Sequence, residues 1–430
     1  MLNPLYQMVD RNRAGDPASL VCVCSAHHDV LRAALNWAER RDLPLIIETT
    51  SNQVNQDGGY TGQTPAMFAD HLRAQAKAQG VAWDRLILGG DHLGPQAWKN
   101  LSAEAAMAKA VTMVESYVAA GFKKIHLDCS QACADEATPL SDTVVAHRSA
   151  RLANACERAN QGELPAYVIG TEVPTPGGST DQGETITPTT PHAALATLKA
   201  HEETSLGHLK DRIVGLVVQP GVEFLPMSIH ALPKDTDTQL REVMMTWPRL
   251  VLEAHSTDYQ SPNAFHRLAA LGFGFQKVGP ALTFAVRQAL YSLDQALSYL
   301  GRGVGLFDTM ESLMQHDDRH WRQHYEADDQ VARHFGLSDR IRYYWNTQRA
   351  QQSVMALRAR VQEATLPDPL LRQAFGADVL ARAECLSGPQ DQRLIDASIE
   401  LALEPYDLKK YNSKKHNLKT YDLKKGEYSS

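Results

Sequence analysis

Ionisable side chains recur directly after short apolar runs of this chain. Asp91 and His92 follow one run, Glu172 follows another, and His255 follows a third. Imidazole and carboxylate groups are common protein ligands of Zn²⁺ and Mn²⁺. A structural protein has no reason to repeat such groups at equivalent positions, because a buried charge without a partner is costly. The pattern therefore predicts an enzyme in which His92, Glu172 and His255 bind a divalent metal, with Zn²⁺ as the first candidate and Mn²⁺ as the second.

Three acidic residues are predicted to take part in catalysis: Asp91, Glu172 and Asp128. Asp91 directly precedes a predicted metal ligand, and a carboxylate beside a metal-bound substrate can move a proton to or from a hydroxyl group. The alternative role of Asp91 is to hold a histidine in one tautomer. Reserve ligands, or hydrogen-bond partners of the ligands, are His27, Glu48, His126 and Asp128.

The apolar runs themselves predict eight strands, at residues 20–24, 43–48, 85–89, 124–128, 167–171, 213–218, 250–254 and 275–278. Runs that are apolar almost throughout are typical of parallel strands buried on both faces. Amphipathic helical patterns follow them at 28–39, 64–78, 103–120, 142–160, 191–204, 238–245, 262–271 and 279–299, and Ser102 and Ser141 are predicted to cap two of these helices.

Eight β–α units in succession predict a (β/α)8 barrel, in which the polar ends of the strands meet at one rim. An open doubly wound sheet is the alternative fold. Neither a Gly-x-Gly-x-x-Gly sequence nor a P-loop opens a helix here, so the usual reason for an open nucleotide-binding sheet is missing. We predict a barrel over 1–305, a helical extension packed on it over 306–403, and a mobile tail rich in Lys, Asn and Tyr over 404–430.

The junction after the eighth predicted strand, KVGPALT at 277–283, leads directly into a helix. Barrels often bind phosphate at the loops after strands 7 and 8 with helix N-terminal N–H groups. An ordinary Gly-Pro helix start is the alternative interpretation, and Lys277 as a Schiff-base lysine is another. The residues predicted to bind substrate or phosphate are His27, Glu48, Gln219, Ser256, Asp258, Lys277, Gly279 and Thr283.

Composition excludes several classes of protein. The chain has 430 residues and a formal net charge of −7, so it lacks the basic surface that nucleic-acid binding requires. It contains no apolar run long enough to span a membrane, and its start does not resemble a signal peptide. Its six cysteines do not suggest a disulfide framework in a chain of this size. We therefore expect a cytoplasmic protein.

Seven segments of the chain closely resemble the Z-type subunit family of D-tagatose-1,6-bisphosphate aldolase (GatZ/KbaZ), which is related to the class II aldolases. The segments are IETTSNQV at 47–54, GGDHLGP at 89–95, KIHLDCS at 124–130, IGTEVP at 169–174, EAHSTDYQ at 253–260, KVGPALTF at 277–284 and RIRYYW at 340–345. Members have also been labelled tagatose-6-phosphate kinases, although no nucleotide-phosphate loop is visible here.

The resemblance implies a metal-dependent enzyme that acts on tagatose or fructose phosphates by cleaving the C3–C4 bond, either as a 4-epimerase or as an aldolase. In the catalytic class II subunits an Asp-His pair matches Asp91-His92, and a later histidine matches His255. A His-Gly pair stands where this chain has Glu172-Val173, which puts the third ligand in doubt. The alternative is a non-catalytic subunit that stabilises a class II aldolase partner, and a barrel enzyme outside sugar metabolism is a third hypothesis. A homo-oligomer is a further expectation.

Overall fold

Short, mostly apolar segments form the strands of this protein, whose computed structural model describes residues 3–170 and 186–409. Eight of them close into a parallel barrel in the order β1-β10-β9-β6-β5-β4-β3-β2, which confirms the predicted fold. The ten strands are β1 (Leu20–Cys24), β2 (Leu45–Thr50), β3 (Leu86–Leu93), β4 (Lys124–Leu127), β5 (Ala166–Ile169), β6 (Ile213–Val217), β7 (Glu223–Phe224), β8 (Ile229–His230), β9 (Val251–Ala254) and β10 (Phe273–Val278). β7 and β8 form a separate antiparallel hairpin, which the sequence analysis did not predict.

Helices surround the barrel and bury one face of each against the strands. In chain order they are α1 (Pro4–Arg13), α2 (His28–Arg40), α3 (Pro65–Ala78), α4 (Ala103–Ala119), α5 (Asp142–Ala159), α6 (Pro191–Glu202), α7 (Leu240–Met244), α8 (Pro262–Ala270) and α9 (Pro280–Tyr299). The Ser102 side chain accepts a hydrogen bond from the backbone N–H of Ala105, and Ser141 caps α5 in the same way, as predicted.

Helix α1 was not predicted, and it packs against the amino ends of the strands. Leu5, Met8 and Val9 belong to a buried cluster that also contains Leu20 of β1 and Ile46 of β2. An Asn N-cap at residue 3 and a proline in the first turn begin this helix. These start signals were present in the sequence.

A layer of charged side chains crosses the barrel interior on the side of the carboxyl ends. Lys124 has no exposed side-chain surface, and its Nζ lies 2.6 Å from Glu48 Oε1 and 2.6 Å from Glu253 Oε2. Gly89 stands between Glu48 and Lys124 in the strand register, and a Cβ there would lie 2.8 Å from Glu48 Cγ. The predicted strands are therefore not apolar throughout: Lys124 is buried within one of them, because two carboxylates compensate its ammonium group.

Helices also follow the barrel: α10 (Leu306–His316), α11 (Gln330–Phe335), α12 (Gln348–Ala364), α13 (Asp368–Ala374), α14 (Ala377–Glu384) and α15 (Gln390–Leu403). Helix α15 packs against α2 and α9, and Arg32 Nη2 of α2 lies 2.6 Å from Asp396 Oδ1 of α15. Among the described residues, no helix is long and apolar enough to cross a membrane.

The first residues of the predicted tail are packed against the barrel. The buried Tyr406 places its hydroxyl 3.0 Å from Thr257 Oγ1, next to the rim of the barrel. Residues 410–430 lie outside the described part of the chain.

Replacing Lys124 with methionine tests the importance of the buried charges. The substitution leaves Glu48 and Glu253 buried without this cation, so we expect the free energy of unfolding to fall by about 3–5 kcal/mol. Lys123→Met is the matched control, because the ammonium group of this half-buried neighbour bonds to the carbonyl oxygen of Glu163 and forms no ion pair with a described carboxylate. Its expected loss is about 0.5 kcal/mol. Denaturant titration of both variants checks the difference, and equal losses would contradict it.

Candidate active site

The carboxyl ends of the barrel strands surround a cavity that opens to solvent. Parallel strands bring their carboxyl ends to one rim, so residues far apart in sequence meet there. Nine of the predicted site residues line this cavity: His27, Asp91, His92, His255, Ser256, Asp258, Lys277, Gly279 and Thr283.

Three histidine rings meet at the base of the barrel mouth, where His92 and His255 line the cavity and the fully buried His126 lies next to them. The ring centroids of His92 and His255 are 4.8 Å apart, and the ring of His126 lies 5.1 Å from His92 and 5.2 Å from His255. His126 was predicted only as a reserve ligand. It lies two residues after the inward-pointing Lys124 on β4, so the alternation of side chains along a strand places it inside the barrel.

Each of the three imidazoles has one ring nitrogen on a buried carboxylate. His92 Nδ1 lies 2.8 Å from Asp128 Oδ2, and His126 Nδ1 lies 2.9 Å from Asp91 Oδ1. His255 Nε2 lies 3.0 Å from Glu253 Oε1. Histidine ligands of metals are commonly held in this way, with the second ring nitrogen directed at the ion.

The second ring nitrogen of His126 is the clearest sign of an additional ligand. Nε2 of His126 is buried and has no hydrogen-bond partner among the described residues. Buried polar atoms are normally satisfied, so an isolated one calls for an explanation. A metal ion would supply it, and atoms of Asp91, His126, Glu253 and His255 all lie within 4.8 Å of one another.

The protonation states of the histidines suit this interpretation. Burial and the charge of Lys277 lower the pKa of His126, and they lower the pKa of His255 to about 3. Both rings are therefore neutral at neutral pH, the form in which imidazole binds a metal. Burial also opposes the charged form of His92, but the carboxylates of Asp91 and Asp128 outweigh it and raise the pKa of this ring.

The buried carboxylates outnumber the lysines around them. Asp91, Asp128, Glu48 and Glu253 are buried, and among the described residues the ammonium groups that pair with members of this set are those of Lys124 and Lys277. Burial favours the protonated form of Asp91, but His92 and Lys277 outweigh it and hold its pKa well below the ordinary value. With His126 and His255 neutral, the four carboxylates outweigh the two ammonium groups even when His92 is protonated, and this negative balance favours binding of a further cation.

Lys277, which was predicted to bind substrate or phosphate, lines the cavity, but its ammonium group is paired with carboxylates. Its ammonium group contacts Asp91 and lies 2.9 Å from Glu253 Oε1 and 3.5 Å from Glu48 Oε2. Burial alone would lower the pKa of Lys277, but these carboxylates raise it well above the ordinary value. A charged ammonium cannot act as a Schiff-base nucleophile, and this one is already neutralised by carboxylates.

The helix start after β10 is also occupied from within the chain. Asp258 Oδ1 accepts hydrogen bonds from the backbone N–H groups of Gly279, at 3.0 Å, and Ala281, at 2.8 Å. The hydroxyl of Thr283 donates to Asp339 Oδ2 at 2.6 Å. These contacts differ from the predicted phosphate site, because carboxylates take the donors that a phosphate needs. Burial raises the pKa of Asp258 to about 6, against the effect of the two N–H groups.

Three of the described predicted residues do not line the cavity. Glu48 is fully buried beneath it, and Gln219 uses Oε1 to accept from the backbone N–H of Gly221. Asp128 lies behind His92 and accepts from Ser130 with its other oxygen, which suits positioning of the ring better than proton transfer. Glu172 lies outside the described residues, so its predicted roles stay predictions.

The sequence analysis missed the wall of the cavity formed by the C-terminal extension. Arg342, Tyr343 and Asn346 line the cavity together with Tyr60 from the loop after β2. Arg342 and Tyr343 belong to the segment RIRYYW, which was noticed only as part of a resemblance. Nothing local in the sequence indicated that this segment reaches the barrel mouth.

Comparison with known proteins agrees with this architecture. A family model described as D-tagatose-1,6-bisphosphate aldolase subunit GatZ/KbaZ-like matches residues 5–410. A protein from Agrobacterium fabrum named D-tagatose 6-phosphate 4-epimerase is 43% identical over 415 residues, which cover 94% of this chain and 97% of that protein. The crystal structure of a probable tagatose 6 phosphate kinase from Sinorhizobium meliloti 1021 has a TM-score of 0.82 at 40% identity, covering 90% of this chain and 99% of that one. With a family model that spans almost its whole length and a relative of this similarity, the chain belongs to the GatZ/KbaZ-like family.

Proposed function

We propose that this chain is a metal-dependent enzyme that acts on ketohexose phosphates, such as D-tagatose 6-phosphate, by breaking and reforming the C3–C4 bond. The observation that carries the proposal is the meeting of three histidine rings beside Asp91 at the barrel mouth, where Asp91, His92 and His255 line the cavity and the buried His126 lies next to them. The relative named as a tagatose 6-phosphate 4-epimerase supports the substrate class.

We assign the metal to His126 and His255, which belong to a group of possible ligand residues whose atoms lie within 4.8 Å of one another, and to His92, whose ring lies beside theirs. Three nitrogen ligands with an open position are typical of catalytic zinc, so Zn²⁺ is the first candidate and Mn²⁺ the second. When bound, the cation would supply positive charge that stabilises negative charge developing on substrate oxygens. Glu172 remains a predicted ligand.

Asp91 is the base of the proposed reaction. Its low pKa keeps it ionised, and it lines the cavity, so it can accept the proton of the substrate's O4 hydroxyl. As O4 loses its proton, a C4=O bond forms and the C3–C4 bond breaks, and its electron pair goes to C3 and is delocalised onto the C2 oxygen. Glu172 is the second candidate for this role.

The fate of the aldehyde decides the outcome. If it rotates by half a turn and its carbonyl carbon bonds to C3 again from the other face, the configuration at C4 is inverted and the enzyme is a 4-epimerase. If the aldehyde leaves, the enzyme is an aldolase. A cavity that retains the fragment favours epimerisation, which is the activity in the name of the Agrobacterium relative.

A non-catalytic role is the second candidate. The family is described as an aldolase subunit, which favours a chain that stabilises a separate class II catalytic subunit. In that case the purified chain would be inert and would prolong the activity of its partner.

Turnover of defined sugars separates these functions. The purified chain is incubated, with and without added Zn²⁺ or Mn²⁺, with D-tagatose 6-phosphate and D-tagatose 1,6-bisphosphate, and the products are identified by NMR. We expect D-fructose 6-phosphate, loss of activity in EDTA, and recovery with added metal. Triose phosphates would instead identify an aldolase. No product from either substrate with either metal would contradict a catalytic role.

Asp91→Asn tests the proposed base. Because an amide cannot accept the O4 proton, we expect kcat to fall by about 100-fold or more. Asp57→Asn is the matched control, since Asp57 is exposed, lies outside the cavity and pairs with Lys109. The assay is the same NMR measurement of rates. Equal kcat values for the two variants would exclude Asp91 as the base.

A further inference from the structure

The segment at 337–346, which follows helix α11, is held at the barrel mouth by two hydrogen bonds of its first residue. The backbone N–H of Leu337 donates to the carbonyl oxygen of Pro226 at 2.8 Å, and the hydroxyl of Tyr259 donates to the carbonyl oxygen of Leu337 at 2.7 Å. Pro226 belongs to the β7–β8 hairpin, and Tyr259 follows β9. The segment is therefore bound to two different parts of the barrel rim.

Asp339 is the main anchor of this segment. Its backbone has a φ of 44°, and its buried carboxylate accepts from Thr283 Oγ1 at 2.6 Å and from Arg287 Nε at 3.1 Å. Thr283 and Arg287 are four residues apart on α9 and so lie on one face of that helix. This anchor sets the direction of the next residues, among which Arg342 and Tyr343 reach the cavity.

The guanidinium group of Arg342 is not neutralised in the way that Lys277 is. Nη1 of Arg342 donates to the carbonyl oxygens of Ser338 and Asp339, and Nη2 donates to the hydroxyl of Tyr343 at 3.0 Å. No carboxylate among the described residues lies within 4.0 Å of it, whereas three surround the ammonium group of Lys277. The positive charge of this half-buried arginine is therefore available to bind an anionic ligand.

Aromatic residues hold this arginine at the wall. The guanidinium carbon of Arg342 lies 4.5 Å from the ring centroid of Tyr343, and the rings of Tyr60 and Tyr343 are 4.9 Å apart in an edge-on arrangement. The ring of His320 also stacks on Tyr343, with the ring centroids 4.7 Å apart. The hydroxyl groups of Tyr60 and Tyr343 therefore lie beside the guanidinium group as further hydrogen-bond donors.

We propose that Arg342 of the C-terminal extension binds the phosphate group of the substrate and so makes the enzyme selective for phosphorylated ketoses. This inference rests on the proposed function. The reacting groups lie at the floor of the cavity and Arg342 in its wall, so a sugar at the floor can extend its phosphate towards the arginine. The donors at the start of α9 are already held by Asp258 and Asp339, and the planar fork of an arginine suits a phosphate.

Arg342→Gln tests the assignment by kinetics. With D-tagatose 6-phosphate we expect KM to rise by about 100-fold with kcat changed by less than about threefold, since a charged hydrogen bond to the non-reacting phosphate is lost. With unphosphorylated D-tagatose we expect kcat/KM to be unchanged. Arg342→Lys keeps the charge without the fork and should recover part of the loss. Equal losses on both sugars, or an unchanged KM, would overturn the proposal.

Arg340→Gln is the matched control, because Arg340 lies on the same segment, bonds to the carbonyl oxygen of His320 and does not line the cavity. We expect its KM for D-tagatose 6-phosphate to stay within about threefold of wild type. A KM increase equal to that of Arg342→Gln would mean that the loss comes from disruption of the segment, and would overturn the assignment.

Binding without turnover separates this proposal from the proposed function. Calorimetric titration with D-tagatose 6-phosphate and with inorganic phosphate is carried out on the wild type and on Arg342→Gln. If the wild type turns over no ketose yet binds both ligands, and the variant binds neither, the phosphate site stands and the proposed catalysis falls. If the wild type and the variant bind equally, or the wild type binds neither ligand, the phosphate site is overturned.

Discussion

The ion pairs of Lys124 and Lys277 with carboxylates inside the barrel are the interactions on which the rest of the site depends. Buried carboxylates are tolerated only with partners, so these two lysines fix Glu48, Glu253 and Asp91 in place. The carboxylates in turn orient the histidines. Ion pairs beneath the cavity therefore hold the side chains at its floor in position. The residues of these ion pairs lie on strands and not on mobile loops.

The two parts of the chain contribute differently to the cavity. The barrel strands supply the histidines and Asp91, where small displacements would disturb chemistry. The extension supplies Arg342 and Tyr343, which line the wall. In our account the barrel performs the reaction and the extension selects the substrate. A relative that kept the barrel residues and lost this arginine would be expected to accept sugars without a phosphate.

The sequence predicted the barrel well because each strand is a short apolar run and each helix has an amphipathic pattern and a start signal. It also placed Asp91, His92 and His255 correctly at one rim. It could not predict which charges pair, because Lys124 and Glu48 are 76 residues apart and the intervening Gly89 gives no sign of the contact. The partners of Asp258 and Thr283, and the position of Arg342 at the cavity, also depend on residues far apart in the sequence, so they were not predictable. The role of Glu172 remains a prediction.

Anomalous diffraction from crystals grown with Zn²⁺ tests the central claim most directly. The account predicts one strong peak at the barrel mouth, about 2.0–2.1 Å from ring nitrogens of His92, His126 and His255. The account would be contradicted if zinc bound at other sites of the crystal but gave no peak between these rings. It would also be contradicted if the peak at the barrel mouth were bound by residues outside this cluster.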